Sequence, residues 1–369
     1  MELKEFAKNL DFNIYRRAVS DEKTVLEVLT DLAIENNFNG DHDIYRNMSK
    51  TDIFLARKEM KKNGEPIPKH IFEKMLSHFG INHNSTIKTI WTAGPNVLFP
   101  ELISQTIHAE ALYTLDYTRF FANIIRSNDQ NYQTLTYTSD QHNRSLARRG
   151  DRAPFKEIHV TAAEDALHKK QYGATLSFDY NTMKSMRFSA LKSKVLDDMG
   201  RQLAIDILDL LIYTAINGDG VTNGLDTDNH QENVTTTGAV VPKDIIKFIT
   251  CLSQGYKINQ YFARVEALRL YAEAFASMTN PKDSKSEVTN VIGLPFPAGE
   301  RWDSTQLSTD QIIGIDTKKA INLITDDQLM LQETEQFTKV QEVHTTISMQ
   351  ILTEVNDREA IGALSLVSA

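Results

Sequence analysis

The chain is 369 residues long, 41% hydrophobic and 24% charged, with Lys+Arg 40 against Asp+Glu 49 and a formal net charge of −9. That composition excludes a disordered chain, and its acidic balance excludes a dedicated nucleic-acid coat built on clustered cations. A single cysteine, Cys251, excludes an intramolecular disulfide framework and a multi-cysteine zinc site.

No apolar run reaches the ~18 residues of a membrane span. The amino terminus, MELKEFAKNLDF, lacks the apolar core of a signal peptide, so a soluble protein of a reducing compartment is expected. At roughly 100–200 residues per domain, two to three compact units are expected.

Residues 1–85 read as short helices. Ser20 is placed at the start of the first, with Val25, Leu26, Val28, Leu29, Leu32 and Ala33 as its apolar stripe. Ser49 and Asp52 form a capping-box variant ahead of Ile53-Phe54-Leu55. A third helix follows Pro66 and Pro68, carries Ile71, Phe72, Met75, Leu76 and Phe79, and stops at Gly80. Charges along this stretch nearly cancel, and no basic recognition helix supports a helix-turn-helix reader. Packing or assembly is the expected role. The polar stretch His78–Thr86 reads as a linker, Trp91–Pro100 as turn-rich and extended, and Glu101–Tyr113 as a helix.

Tyr132–Thr138 and Phe155–Thr161 are β-prone and flank a polar tip, Ser139–Pro154. The tip and its exit carry Arg144, Arg148, Arg149, Arg152 and Lys156 against only Asp140 and Asp151. Too few apolar residues are present for the tip to form its own core. Its charge favours an acidic partner surface. Single-stranded nucleic acid is the other reading, but the tip lacks aromatics for base stacking.

The strongest helical pattern runs from Ser189 to Ile216, with Leu191, Val195, Met199, Leu203, Ile207 and Leu211 at i, i+4 spacing. This predicts a rod of roughly 42 Å. Gly200 near its middle costs about 1 kcal/mol against Ala, which implies close packing or a bend. Asn217-Gly218-Asp219-Gly220 ends the rod. A helix after Pro242 presents Ile245, Ile246, Phe248, Ile249 and Leu252. Tyr261–Val265 reads as a strand and Glu266–Ser277 as a helix. From Val291 the chain is β-dominated, including Ile312–Ile315, Ala320–Thr325 and an alternating run Val340–Val355. There is no internal repeat.

No residue set assembles an active site, and no cofactor or metal is expected. Asp219, Asn223, Asp226, Asp228 and Glu232 fail the calcium-loop spacing, because His230 and Gln231 occupy its fifth and sixth positions from Asp226. The glycines at 218, 220 and 224 follow a helix, not a strand, so they make no dinucleotide loop. Cys251 sits on an apolar stripe and reads as core rather than nucleophile. Asp197 and Asp198 are adjacent on a helix and point apart.

The order of features resembles the major capsid protein of tailed bacteriophages, with the Hong Kong 97 fold. Gly94-Pro95-Asn96-Val97-Leu98-Phe99-Pro100-Glu101 is similar to the family's lead into its first helix. The hairpin Tyr132–Thr161 and the long rod follow. Asn217-Gly218-Asp219-Gly220 with Gly224-Leu225 is similar to the turn closing the family's spine helix. Ile292-Gly293-Leu294-Pro295-Phe296, Ile313-Gly314-Ile315-Asp316 with Ala320-Ile321, and Val355–Ile361 resemble later segments. Arg358 stands where the family usually has proline.

The resemblance covers about residues 90–369. It implies an α+β capsid fold with an N-terminal helical, scaffold-like region (1–85), an arm and first helix (86–131) and an extended β-hairpin loop (132–161). A peripheral domain with the spine helix (162–223), an axial domain (224–298) and a β-rich return to the peripheral domain (299–369) complete the expected division.

The implied function is structural, not enzymatic. Copies of the chain, as pentamers and hexamers, would form the icosahedral head of a virion around double-stranded DNA, assembled in the host cytoplasm. The loop carrying Arg144, Arg148, Arg149, Arg152 and Lys156 would lie across a neighbouring subunit. Portal and head-completion proteins are the other implied partners, with non-specific contact to DNA on the inner face and no membrane. An encapsulin-type nanocompartment of the same fold is the alternative.

Overall fold

The computed structural model describes residues 10, 13–21, 23, 25–35, 50–63, 65, 67, 70–79, 81, 84–92, 98–127, 129, 131–133, 135–137, 160–162, 166–252, 255–278, 298–301, 306–326, 331–337 and 342–367. The architecture is α+β and divides into two compact units. The first comprises residues 1–128, 170–210 and 324–351, and the second residues 129–169, 211–323 and 352–369. Among the described residues no helix is long and apolar enough to cross a membrane.

In the first unit, helices Asn13–Ser20, Val25–Glu35, Lys50–Asn63 and Ile71–His78 build a small core of their own. Ile14, Ala18, Val25, Leu26, Val28, Leu29, Ala33, Ile53, Phe72 and Met75 bury against one another and against Leu98. Val25, Leu26, Val28, Leu29 and Ala33 of the expected stripe are buried and Leu32 partly so, but Ser20 ends the preceding helix instead of starting this one. That preceding helix buries Ile14 and Ala18, four positions apart on one face. Ser49 lies outside the described residues. The helix after Pro68 starts at Ile71, capped by the His70 side chain.

Ile87–Thr92 is helical, so Trp91 and Thr92 are not extended as expected. Thr86 Oγ1 accepts the Thr89 N–H at 3.2 Å and starts this turn. The helix Phe99–Thr114 has Pro100 in its first turn, where a missing N–H costs nothing. It buries Phe99, Ile103, Ile107, Ala111 and Leu112.

The rod is continuous from Phe188 to Asn217, roughly 45 Å at 1.5 Å per residue. It is interrupted by a five-residue π-helical turn, Lys192–Leu196. Gly200 is explained by close packing. A Cβ there would stand 2.6 Å from Ile107 O and 2.7 Å from Glu110 Cβ of the helix Phe99–Thr114.

Strand Lys170–Asp179 and strand Leu331–Phe337 both pair antiparallel with the 14-residue strand Glu342–Val355. Along the latter, Val343, Thr345, Ile347, Met349 and Ile351 are buried, while the alternate positions are only partly so.

In the second unit a five-stranded sheet runs in the order Gln231–Asn233, Ile361–Ser365, Gln311–Ile315, Gln260–Ala263, Ala298–Arg301. The two outer pairings are parallel and the two inner ones antiparallel. Helices Pro242–Ile249 and Val265–Met278 supply Ile245, Phe248, Ile249, Ala267, Tyr271 and Ala274 to its core. Gly314 leaves the space for this packing, since a Cβ would come within 2.7 Å of Phe248 Cζ. Ile246, expected on the apolar side, is 37% exposed. Cys251 lies past the end of its helix rather than on it.

Candidate functional site

No group of three or more His, Cys, Asp or Glu is placed to hold a metal among the described residues. The acidic run after the rod organises its own loop. Asp219 Oδ1 accepts the N–H groups of Val221 and Thr222 at 2.9 and 2.6 Å, and Oδ2 accepts the Val355 N–H at 2.9 Å. Gly218 is needed at φ +85, where a Cβ would press to 2.2 Å from Thr222 O.

Asp226 accepts the Asn229 side-chain amide at 3.0 Å and backbone N–H groups of Asp228 and Asn229. The Asn229 side-chain bond and the nearby Arg358 guanidinium hold its carboxyl below the usual range. Arg358 donates from Nε to Gly224 O at 3.0 Å and stands 3.5 Å from Asp226. These carboxylates fold a loop, and the turn reading of this segment holds.

Burial pushes the Cys251 thiol up to about 12, leaving essentially no thiolate at neutral pH. Asp198 pairs with Arg201, while Asp197 Oδ1 is buried, so the two carboxylates do point apart.

Strands Leu135–Tyr137 and Val160–Ala162 pair antiparallel, Leu135 opposite Ala162 and Tyr137 opposite Val160. This is the stem of a hairpin. Nearer the body, Asn131–Tyr132 pairs with Leu167–His168, and Asn131 Oδ1 lies 2.6 Å from His168 Nδ1. Arg144, Arg148, Arg149, Arg152 and Lys156 fall between the stem strands and lie outside the described residues.

The other notable surface belongs to the three-stranded part of the first unit's sheet. The register sets Asp179 opposite Glu342, Glu335 opposite His344 and Glu333 opposite Thr346. Gln171, Gly173, Thr175, Ser177 and Asp179 are all exposed on the edge strand. His344 Nε2 lies 3.0 Å from Glu342 Oε2, and Thr175 and Thr346 hydroxyls lie 3.0 Å apart. Leu331 and Phe337 share this register, opposite Ser348 and Glu342, and no Lys or Arg does at these alternate positions.

Asp179 also accepts the Thr182 N–H at 2.6 Å, a bond that lowers its carboxyl below the ordinary range. Sequence reading missed this face, because strand Lys170–Asp179 lacks the apolar alternation that marks a half-buried strand.

No family model matches the chain, and no curated protein matches it. Solved structures to which it is similar include the capsid of a native GTA particle, at 14% identity and TM-score 0.46, covering 70% of this chain and 90% of that one. The satellite phage P4 procapsid including its size determination protein is similar at 11% identity and TM-score 0.44, covering 72% and 90%. The holo-SrpI encapsulin complex from Synechococcus elongatus PCC 7942 is similar at 10% identity and TM-score 0.44, covering 72% and 89%.

Proposed function

We propose that this chain is a shell subunit, the major capsid protein of a tailed phage, and that its copies tile a closed icosahedral head around double-stranded DNA. The observation that carries the reading is the rod Phe188–Asn217, closed by Gly218-Asp219-Gly220 and tied through Asp219 to the long strand at Val355. It stands in the order expected of the resemblance, after the helix Phe99–Thr114 and the hairpin stem, and before the helix-and-sheet unit that follows.

On this reading residues 1–85 are the scaffold-like region, 86–131 the arm and first helix, and 132–161 the extended loop. Residues 162–223 and 299–369 make the peripheral domain and 224–298 the axial domain. The role is assembly, in which repeated heterologous contacts close rings and then a shell. Each contact is permitted to be weak, because many act together.

Arg144, Arg148, Arg149, Arg152 and Lys156 reach an acidic surface of an adjacent subunit. The sheet face bearing Asp179, Glu342 and the register positions of Glu333 and Glu335 has the matching charge. The net charge of −9 agrees with a shell whose contact with packaged DNA is loose.

Electron microscopy of the purified chain, with and without nuclease treatment, tests this reading. Closed particles holding protected DNA are expected. Particles filled by a protein cargo indicate a nanocompartment instead, and a monodisperse monomer at all concentrations removes the shell reading.

A further inference from the structure

His70 is an unusual helix cap, since the preferred residues there are Ser, Thr, Asp and Asn. It is 3% exposed, and Thr30, from the helix Val25–Glu35, is fully buried beside it. Three contacts set which ring nitrogen carries the proton. The Phe72 N–H donates to His70 Nδ1 at 3.2 Å, so Nδ1 must be bare. The proton therefore sits on Nε2, which lies 3.1 Å from Thr30 Oγ1 and donates to it. The Thr30 hydroxyl in turn donates to Leu26 O at 2.8 Å. The relay runs one way, from helix Ile71–His78 into helix Val25–Glu35, and works only with a neutral imidazole.

The geometry points to a proton-sensitive lock. Protonation of His70 at Nδ1 abolishes the cap of helix Ile71–His78, places a charge between two buried helices and releases the N-terminal helical layer. Cost arises twice, because the Phe72 N–H loses its acceptor while the imidazolium loses its water. This inference does not depend on the shell reading.

Glu73 Oε2 accepts the His70 backbone N–H at 3.3 Å, and Arg57 of the helix Lys50–Asn63 holds that carboxylate with contacts of 2.7 and 2.9 Å. A Glu73 already neutralised in this way offers little compensation to an imidazolium. On helix Val25–Glu35, Asp31 is paired with Lys23 and Glu35 with Arg17, while Glu27 is partly exposed. Among the described residues two further imidazoles belong to this layer: His78, the last residue of the capped helix, and His108, which shares a recess of about 100 Å³ with Leu26 and Arg57.

The sign follows from proton counting. The locked state binds one proton fewer than the opened state, so the lock is fully stable above the ordinary imidazole range and weakens as pH falls below about 6.5. At pH 5 the weakening reaches at most ~30-fold in the opening equilibrium.

Hydrogen exchange of the full chain at pH 7 and pH 5, corrected for intrinsic rates, provides the test. Protection of the peptides covering 25–35 and 70–79 is expected to drop about 10- to 30-fold. His70→Asn retains an oxygen that accepts the Phe72 N–H but cannot titrate, so its protection stays level across the same range. An equal drop in this variant assigns the effect to His78, His108 or the carboxylates and overturns the lock. Should that variant not fold, the side-chain nitrogen resonances of the native histidine-labelled chain decide. A His70 protonated on Nδ1 at pH 7 overturns the proposal, and the Nε2–H form with loss of protection on acidification upholds it.

Discussion

The carboxylate of Asp219 accepts the backbone N–H of Val355 at 2.9 Å across 136 positions of sequence. One side chain thereby shapes the turn that ends the rod and fastens that turn to the end of the longest strand. Thr214 and Thr353, whose buried hydroxyls share a hydrogen bond, make a second tie between the same two elements.

Replacing Asp219 by Ala removes three acceptor contacts and leaves the Val355 N–H without this partner. The variant is expected to lose about 2–4 kcal/mol in denaturant unfolding, since bonds to a charged acceptor contribute about 1.5–3 kcal/mol each and are not additive. Asp219→Asn keeps one accepting oxygen for the turn but places an amide toward Val355, so an intermediate loss is expected. Equal stability of the wild type and the Ala variant contradicts the tie.

Gly200 presents two opposing effects. Alanine is the better helix former by about 1 kcal/mol, yet its methyl would press on Ile107 O at 2.6 Å and Glu110 Cβ at 2.7 Å. Overpacking against backbone costs about 1–3 kcal/mol, so Gly200→Ala is expected to be destabilising on balance. A thermal midpoint that rises on this substitution shows that the two helices separate easily.

Charge reversal of Arg144, Arg148, Arg149 and Arg152 to Glu addresses the proposed loop contact. Circular dichroism and melting should remain those of the wild type, while particles disappear from micrographs. Adding Glu342→Lys, which turns part of the acidic sheet face basic, should recover some particles. Normal assembly by the all-Glu loop rules out the docking role of these arginines.

Cys251 should resist alkylation. With its thiol pushed up to about 12 by burial, the thiolate fraction at pH 8 is about a thousandfold below that of a free cysteine. Iodoacetamide labelling followed by mass spectrometry should show slow modification in the native chain and rapid modification in denaturant. Rapid native labelling would expose the thiol as reactive.

Elements whose side chains carry their own period were legible from the residues. The i, i+4 apolar series from Leu191 to Leu211 announced the rod, and alternation announced the strand ending at Val355. The glycines and Asp219 announced the turn. Other elements had no such pattern. Lys170–Asp179 is largely exposed, so its strand conformation comes from the ladder to Glu342–Val355, which lies more than 160 positions away. His70 as a cap was equally invisible, because its partners Thr30 and Phe72 are brought to it only by packing.

Taken alone, the residues decided the position of the rod and the basic character of residues 144–156, since local periodicity and charge need no partner to be read. Tertiary structure decided the rest: that Gly200 marks a helix crossing, that Asp219 fastens strand to turn, and that carboxylates from separate strands share one face. Those properties depend on groups distant in sequence meeting at bonding distance, and chain order does not encode a distance.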